Sequence, residues 1–105
     1  MNIEFEDKAL EELYAFGTTS DRNYKRLPKD IVRQYVKVVN YLKATPRIEF
    51  LYQIKSLHYK KKEGNLKGIE TVWINTQYRL LFRSSPDKQN IIVNILLIEI
   101  SKHYE

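Results

Sequence analysis

The sequence contains no cysteine and only two histidines. The lack of cysteine excludes disulfide bonds and thiolate chemistry. It also argues against a zinc site, because histidine and cysteine are the side chains that most often bind zinc. From the residue inventory we expect neither a metal ion nor a cofactor.

Long apolar runs are also missing. No stretch approaches the roughly 18 apolar residues that a membrane span requires. The opening residues MNIEFEDKAL have neither the basic start nor the apolar segment of a secretory signal. We therefore expect a cytoplasmic protein with no membrane partner. With only three glycines, the chain also has no glycine-rich loop for binding a nucleotide.

The size and composition are those of one globular domain. The chain has 105 residues, of which 43% are hydrophobic and 30% charged. This predicts a single domain over residues 1–105 with a real core. The formal net charge is +5, and most of the cations lie between Arg22 and Lys88. Such a basic region attracts polyanions, although many basic proteins bind no nucleic acid.

The first half of the sequence predicts a short strand and two helices. Residues 2–5 alternate briefly in polarity. Asp7 is suited to cap a helix that Gly17 ends. A longer helix is predicted from Lys29 to Ala44, where apolar residues recur at helical spacing. After it, residues 47–53 predict short helical turns and residues 54–59 predict a strand.

The second half predicts a β-hairpin over residues 67–83. Strand side chains alternate between two faces. Tyr78, Leu80 and Phe82 therefore share the core face, and Arg79 and Arg83 lie on the opposite one. Those two arginines suit an anion, but they also suit the solvated side of a half-buried sheet. Trp73, in the first strand of the hairpin, is expected to be a core anchor.

A turn over residues 84–88 and a last strand over residues 90–100 complete the predicted elements. The last strand is nearly continuous in Ile, Leu and Val, which is typical of a strand covered on both faces. The predicted fold class is α+β, with N-terminal helices packed on a three- to four-stranded antiparallel sheet.

Several short motifs together resemble a known family. They are the Leu57-His58 step, the Lys67-Gly68 entry to a strand, the N-x-Q-Y-R-L-x-F run over residues 75–82, and the His103-Tyr104 ending. In this order they resemble the HigB branch of the RelE/ParE toxin superfamily. The resemblance implies a RelE-like, microbial-RNase-like fold and a toxin of a type II toxin-antitoxin system. It further implies ribosome-dependent, metal-free cleavage of mRNA and neutralisation by a HigA-like helix-turn-helix antitoxin.

The resemblance also implies roles for individual residues. The family's phosphate-binding arginine corresponds to Arg79, and its first histidine corresponds to His58. Its basic loop corresponds to Lys60, Lys61, Lys62 and Lys67, to which the hairpin pattern adds Arg83 as a further RNA-binding cation. Family members often end in an acidic residue, tyrosine and then histidine, whereas this chain ends Lys102-His103-Tyr104-Glu105. Either His103 or Tyr104 could therefore be the residue that faces the scissile phosphate.

RNA cleavage by attack of a 2′-hydroxyl requires a base, an acid and cations around the phosphate. We predict His103 as the acid, His58 or a lysine as the base, and Tyr104 as a stacking or orienting group. Without the resemblance, each histidine taken alone is more typical of a surface or hydrogen-bonded structural residue. Two alternatives to a ribonuclease stay open: a catalytically inactive RNA- or ribosome-binding module regulated by a helix-turn-helix partner, and a protein that only binds a repressor.

Overall fold

The computed structural model describes residues 1–102. Seven regular elements follow one another along the chain: β1 (Asn2–Phe5), α1 (Lys8–Phe16), α2 (Lys29–Ala44), β2 (Lys60–Lys61), β3 (Glu70–Trp73), β4 (Tyr78–Pro86) and β5 (Val93–Lys102). Three short 3-10 segments lie between α2 and β3, at Ile48–Gln53, Lys55–Leu57 and Gly64–Leu66.

Both predicted helices are confirmed, and their ends have local causes. The Asp7 carboxylate accepts a hydrogen bond from the Ala9 backbone N–H at 2.9 Å, which caps the start of α1. Gly17 ends the helix in a left-handed conformation with φ 75°. Helix α2 begins directly after Pro28, whose fixed φ suits a helix start. Within the described residues, no helix is long and apolar enough to cross a membrane.

The α+β class is confirmed, but the sheet is larger than predicted. It has five strands in the order β1-β5-β4-β3-β2. Strand β1 runs parallel to β5, while the other neighbouring pairs are antiparallel. The orientation of β1 was not readable from local pattern, because its partner is distant: Asn2 donates a hydrogen bond to Asn94, 92 residues away.

Two element predictions were wrong. Residues 54–59 contain the 3-10 turn Lys55–Leu57 instead of a strand, because the chain bends at His58, which has a left-handed φ of 46°. The predicted turn over residues 84–88 begins later, because β4 continues to Pro86 in register with Val93. The reversal follows at Asp87, whose carboxylate accepts from the Ile91 backbone N–H at 2.8 Å.

The core lies between the helices and one face of the sheet. Its largest fully buried side chains are Leu10, Leu13, Tyr35, Val39, Leu42, Leu51, Leu57, Val72, Leu80, Phe82, Ile95 and Leu97. The Tyr35 hydroxyl, buried between the two helices, donates to the Leu10 carbonyl at 2.7 Å. Burial raises the pKa of Tyr35 well above that of an ordinary tyrosine. This hydroxyl therefore stays protonated and keeps its hydrogen bond.

A buried carboxylate joins β3, β4 and the segment before β2 at one side of the core. Glu70 is only 5% exposed and lies opposite Phe82 on the core face. One of its oxygens accepts from the Tyr59 hydroxyl, and the other accepts from the backbone N–H and hydroxyl of Ser84, at 2.9 and 2.6 Å. Burial, and then the bond to Glu70, raise the pKa of the Tyr59 hydroxyl. We call these residues the Glu70 cluster.

Replacement of Glu70 by alanine is expected to destabilise the fold. The change leaves the buried Tyr59 hydroxyl and the part-buried Ser84 N–H without their acceptor. Each such loss costs about 1–3 kcal/mol, so the free energy of unfolding is expected to fall by about 2–6 kcal/mol. Urea denaturation measures it. The control Glu11→Ala removes an exposed carboxylate and is expected to change stability by less than about 0.5 kcal/mol. Equal stability of the two variants would contradict a structural role for the Glu70 cluster.

Candidate active site

The pairing of β3 with β4 separates two sets of side chains. Val72 lies opposite Leu80, and both are buried under the helices. The alternate pair, Trp73 opposite Arg79, therefore points to the other face of the sheet. On this second face, Lys60 of β2 lies opposite Thr71 of β3. We call it the open face.

The open face carries a cleft of about 330 Å³. It is lined by His58, Lys60, Lys62, Leu66, Ile69, Thr71, Trp73, Arg79, Leu81, Ser101 and Lys102. None of these described lining residues is acidic, whereas four of them are lysine or arginine. Cations around a cleft attract an anionic ligand.

Trp73 lies between His58 and Arg79, two of the predicted site residues. The His58 ring stacks on the indole with centroids 3.6 Å apart and an angle of 24° between the rings. The Arg79 guanidinium lies 4.1 Å from the ring centroid, in a cation–π contact. Strand β3 runs between β4, which carries Arg79, and the segment that carries His58. The indole therefore separates the imidazole from the guanidinium.

The expectation that Trp73 is a core anchor was wrong. Its side chain is partly exposed and lies on the open face. The hairpin register would have shown this, because Trp73 is the cross-strand partner of Arg79, which the alternation already placed outside the core. Tyr78, in contrast, is partly buried and packs against the core, as predicted.

Arg79 is also held by the turn that precedes it. Its Nη1 donates to the Asn75 carbonyl at 2.8 Å and to the Tyr78 carbonyl at 3.3 Å. The Asn75 side chain in turn accepts from the backbone N–H groups of Gln77 and Tyr78, both at 2.8 Å. An asparagine that bonds the backbone two residues on is typical of a turn. The N-x-Q-Y-R motif thus builds the turn that orients the arginine.

The other predicted cations are divided between two places. Lys60 and Lys62 line the cleft of the open face. Lys61 and Lys67 line a neighbouring cleft of about 340 Å³, together with Glu63 and Glu70, and Lys62 lies between the two clefts and lines both. The division follows from strand alternation, since Lys61 lies opposite Glu70 on the core face.

Arg83 is exposed further along β4, and its guanidinium lies close to Gly68. A Cβ added at Gly68 would be only 2.8 Å from the Arg83 Nη1, so a larger residue there would displace this side chain.

His103 and Tyr104 lie outside the described residues. Among residues 1–102, no three histidine or acidic side chains come together as a possible metal site.

A larger groove of about 800 Å³ lies on the helices. It runs along α2 and is lined by Lys29, Val32, Val36 and Tyr41, among others. No histidine lines it, and it lies away from the open face of the sheet. We therefore assign the candidate active site to the smaller cleft, where a histidine, several cations and the turn motif meet.

Comparison with known proteins agrees with this fold and motif set. The family described as RelE-like toxin of type II toxin-antitoxin system HigB matches residues 3–99. Toxin HigB-1 of Vibrio cholerae is 31% identical over 83 residues, which cover 79% of this chain and 83% of that protein.

Solved structures share the fold at low sequence identity. A YoeB/ParE toxin from Agrobacterium tumefaciens has a TM-score of 0.63 and 14% identity, with coverage of 99% of this chain and 100% of that one. The toxin-antitoxin complex RelBE2 from Mycobacterium tuberculosis has a TM-score of 0.50 and 17% identity, with coverage of 97% and 96%.

The fold is that of the RelE class of toxins. More narrowly, this chain belongs to the HigB-like family of type II toxin-antitoxin toxins, because the family match spans nearly its whole length. The resemblance inferred from the motifs is confirmed.

The stacking of His58 on Trp73 is testable by NMR spectroscopy. We expect the carbon-bound ring protons of His58 to resonate upfield, because the indole ring current shields a ring 3.6 Å away. Trp73→Leu is expected to abolish the shift, and Trp73→Phe to keep part of it. Trp73 is partly exposed, so both variants should stay folded. The comparison is made in His103→Gln, which leaves His58 as the single histidine. An unchanged shift in Trp73→Leu would contradict the stack.

Proposed function

We propose that this toxin is a ribosome-dependent endoribonuclease that cleaves mRNA without a metal ion. The observation that carries the proposal is the cleft of the open face, where Trp73 lies between His58 and Arg79 among several cations. Family membership supports it, since the chain is similar to HigB toxins over most of its length.

The proposed reaction is an intramolecular transesterification. The 2′-oxygen attacks the adjacent phosphorus and loses its proton to a base. The bond from phosphorus to the 5′-oxygen breaks, and an acid protonates the leaving oxygen. The products are a 2′,3′-cyclic phosphate and a 5′-hydroxyl. The protein supplies orientation, proton transfer and positive charge near the phosphate.

Each role is proposed for a particular side chain. Arg79 stabilises the phosphate, because a guanidinium donates paired hydrogen bonds to phosphate oxygens and the turn at Asn75 orients it. His58, exposed at the cleft, accepts the 2′ proton, with Lys60 or Lys62 as the alternative base. His103 and Tyr104 have the roles inferred from the family, the first as proton donor and the second as an orienting or stacking group.

The proposed partners follow from the family. Relatives act within toxin-antitoxin pairs, as in the RelBE2 complex, and we propose a HigA-like helix-turn-helix antitoxin for this chain. The ribosome and its mRNA are the proposed target, which places the protein in the cytoplasm. The exposed lysines Lys60 and Lys61 and the exposed Lys67 support attraction to ribosomal RNA, because ammonium groups bind phosphates without base specificity.

Arg79→Ala is expected to reduce mRNA cleavage about 10²-fold or more, as for removal of one transition-state donor. Arg79→Lys restores only part of the rate, because an ammonium lacks the planar pair of donors. The measurement is mapping of mRNA ends after induction in cells, with detection of 5′-hydroxyl and 2′,3′-cyclic phosphate ends. The matched control is Arg33→Ala, which removes an exposed arginine of α2 that does not line this cleft.

Wild-type cleavage by a folded Arg79→Ala protein would remove Arg79 from the mechanism. If the wild-type protein binds ribosomes but yields no new mRNA ends, it is the inactive RNA-binding module instead.

Two adjacent lysines test which cleft meets the RNA. Lys60→Gln removes a cation that lines the cleft of the open face, and Lys61→Gln removes one that lines its neighbour. Both variants carry the same net charge. We expect each to flatten the dependence of log affinity for ribosomes on log salt by roughly one unit. Only Lys60→Gln should also slow cleavage of bound mRNA. Equal effects on cleavage would contradict the separation of the two clefts.

A further inference from the structure

An exposed leucine lies among the cations of the candidate active site. Leu66 is 50% exposed and lines the cleft together with Ile69 and Leu81. Ile69 is nearly buried and Leu81 is partly buried, so the three form an apolar floor with one open edge. One exposed leucine is ordinary, but three aliphatic side chains that line the same cationic cleft offer a ligand an apolar contact beside the charges.

The loop that carries Leu66 is held by its own hydrogen bonds. The Lys62 N–H donates to the Ile69 carbonyl at 2.9 Å and closes the loop. Within it, the Ile69 N–H donates to the Leu66 carbonyl at 2.9 Å and the Lys67 N–H donates to the Gly64 carbonyl at 3.1 Å. The leucine is thus presented by a folded turn with a defined place at the cleft.

The aromatic residues nearest the cleft offer no comparable surface. The indole of Trp73 is flanked by His58 and Arg79. Tyr59 is buried and bound to Glu70, and Tyr78 packs against the core. Among the described residues that line the cleft, the apolar surface outside the stack of His58, Trp73 and Arg79 is therefore aliphatic.

We propose that Leu66, Ile69 and Leu81 form a seat for one nucleobase of single-stranded RNA. The inference rests on the proposed ribonuclease function and adds to it the part of the substrate that this surface binds. A base has apolar faces and polar edges, so it can cover the aliphatic floor while its phosphate lies near Arg79 and Lys62. The cleft volume of about 330 Å³ suits a single nucleotide.

The chemistry of the seat predicts its selectivity. Aliphatic side chains contact a base face without hydrogen bonds, and hydrogen bonds to base edges are what distinguish one base from another. The seat therefore requires that a base be present and accepts any of the four. Discrimination among codons must then come from other contacts.

The test compares oligonucleotides that differ only in one base. The probes are a single-stranded RNA trinucleotide with 2′-O-methyl groups, which cannot be cleaved through its 2′-oxygens, and three versions that each lack one base. Binding at low salt is followed through the emission of Trp73, the only tryptophan, which lines the same cleft. We expect one abasic version to bind about fivefold more weakly, from the apolar area it leaves exposed.

Leu66→Ala is expected to remove this difference by weakening binding of the complete trinucleotide while leaving that abasic version unchanged. The control is Ile91→Ala, which alters an exposed apolar side chain in the turn before β5. Equal binding of all four probes, equal losses for both probes in Leu66→Ala, or no binding at low salt would each overturn the seat.

Failure of the seat is distinguishable from failure of the proposed function. If the mRNA of induced cells is cleaved but the abasic probes bind like the complete one, the ribonuclease stands without this seat. If the seat behaves as expected but no mRNA is cleaved, the chain binds RNA without cutting it.

Discussion

The in-register antiparallel pairing of β3 with β4 is the constraint on which the rest of the structure depends. Each cross-strand pair puts two side chains on the same face, and the next pair uses the opposite face. Val72 and Leu80 are thereby committed to the core, and Trp73 and Arg79 to the cleft. A shift of one residue would exchange these sets, exposing the core residues and burying a guanidinium.

The open face and the core face of the sheet are connected through His58 and Tyr59, which directly precede β2. His58 has a left-handed backbone, and its ring lies on Trp73 at the open face. The next residue, Tyr59, points into the Glu70 cluster on the core side. The buried hydrogen bond of one residue thus anchors the exposed ring of its neighbour, and the stability of the core is connected directly to the geometry of the site.

Local patterns in the sequence were sufficient for both helices, the hairpin and the outward position of Arg79, because each depends on spacing within a few residues. Local patterns failed where the conformation of a segment depends on a partner that is distant in the sequence. The parallel pairing of β1 depends on β5, and the bend at His58 depends on Trp73 and Glu70 nearby in space. Lys60 and Lys61 point to opposite faces of the sheet because they form β2, and no local pattern predicted a strand at these two lysines.

The pairing of β1 with β5 has a consequence for how the chain is made. Asn94 is added 92 residues after its partner Asn2. Pairing between such distant parts of a chain must first overcome the entropy of closing the loop, and it is therefore slow. A translating ribosome holds β1 without its neighbour until β5 has been synthesised. The five-stranded sheet, and with it the packing that supports the cleft, can be completed only after β5 has emerged from the ribosome.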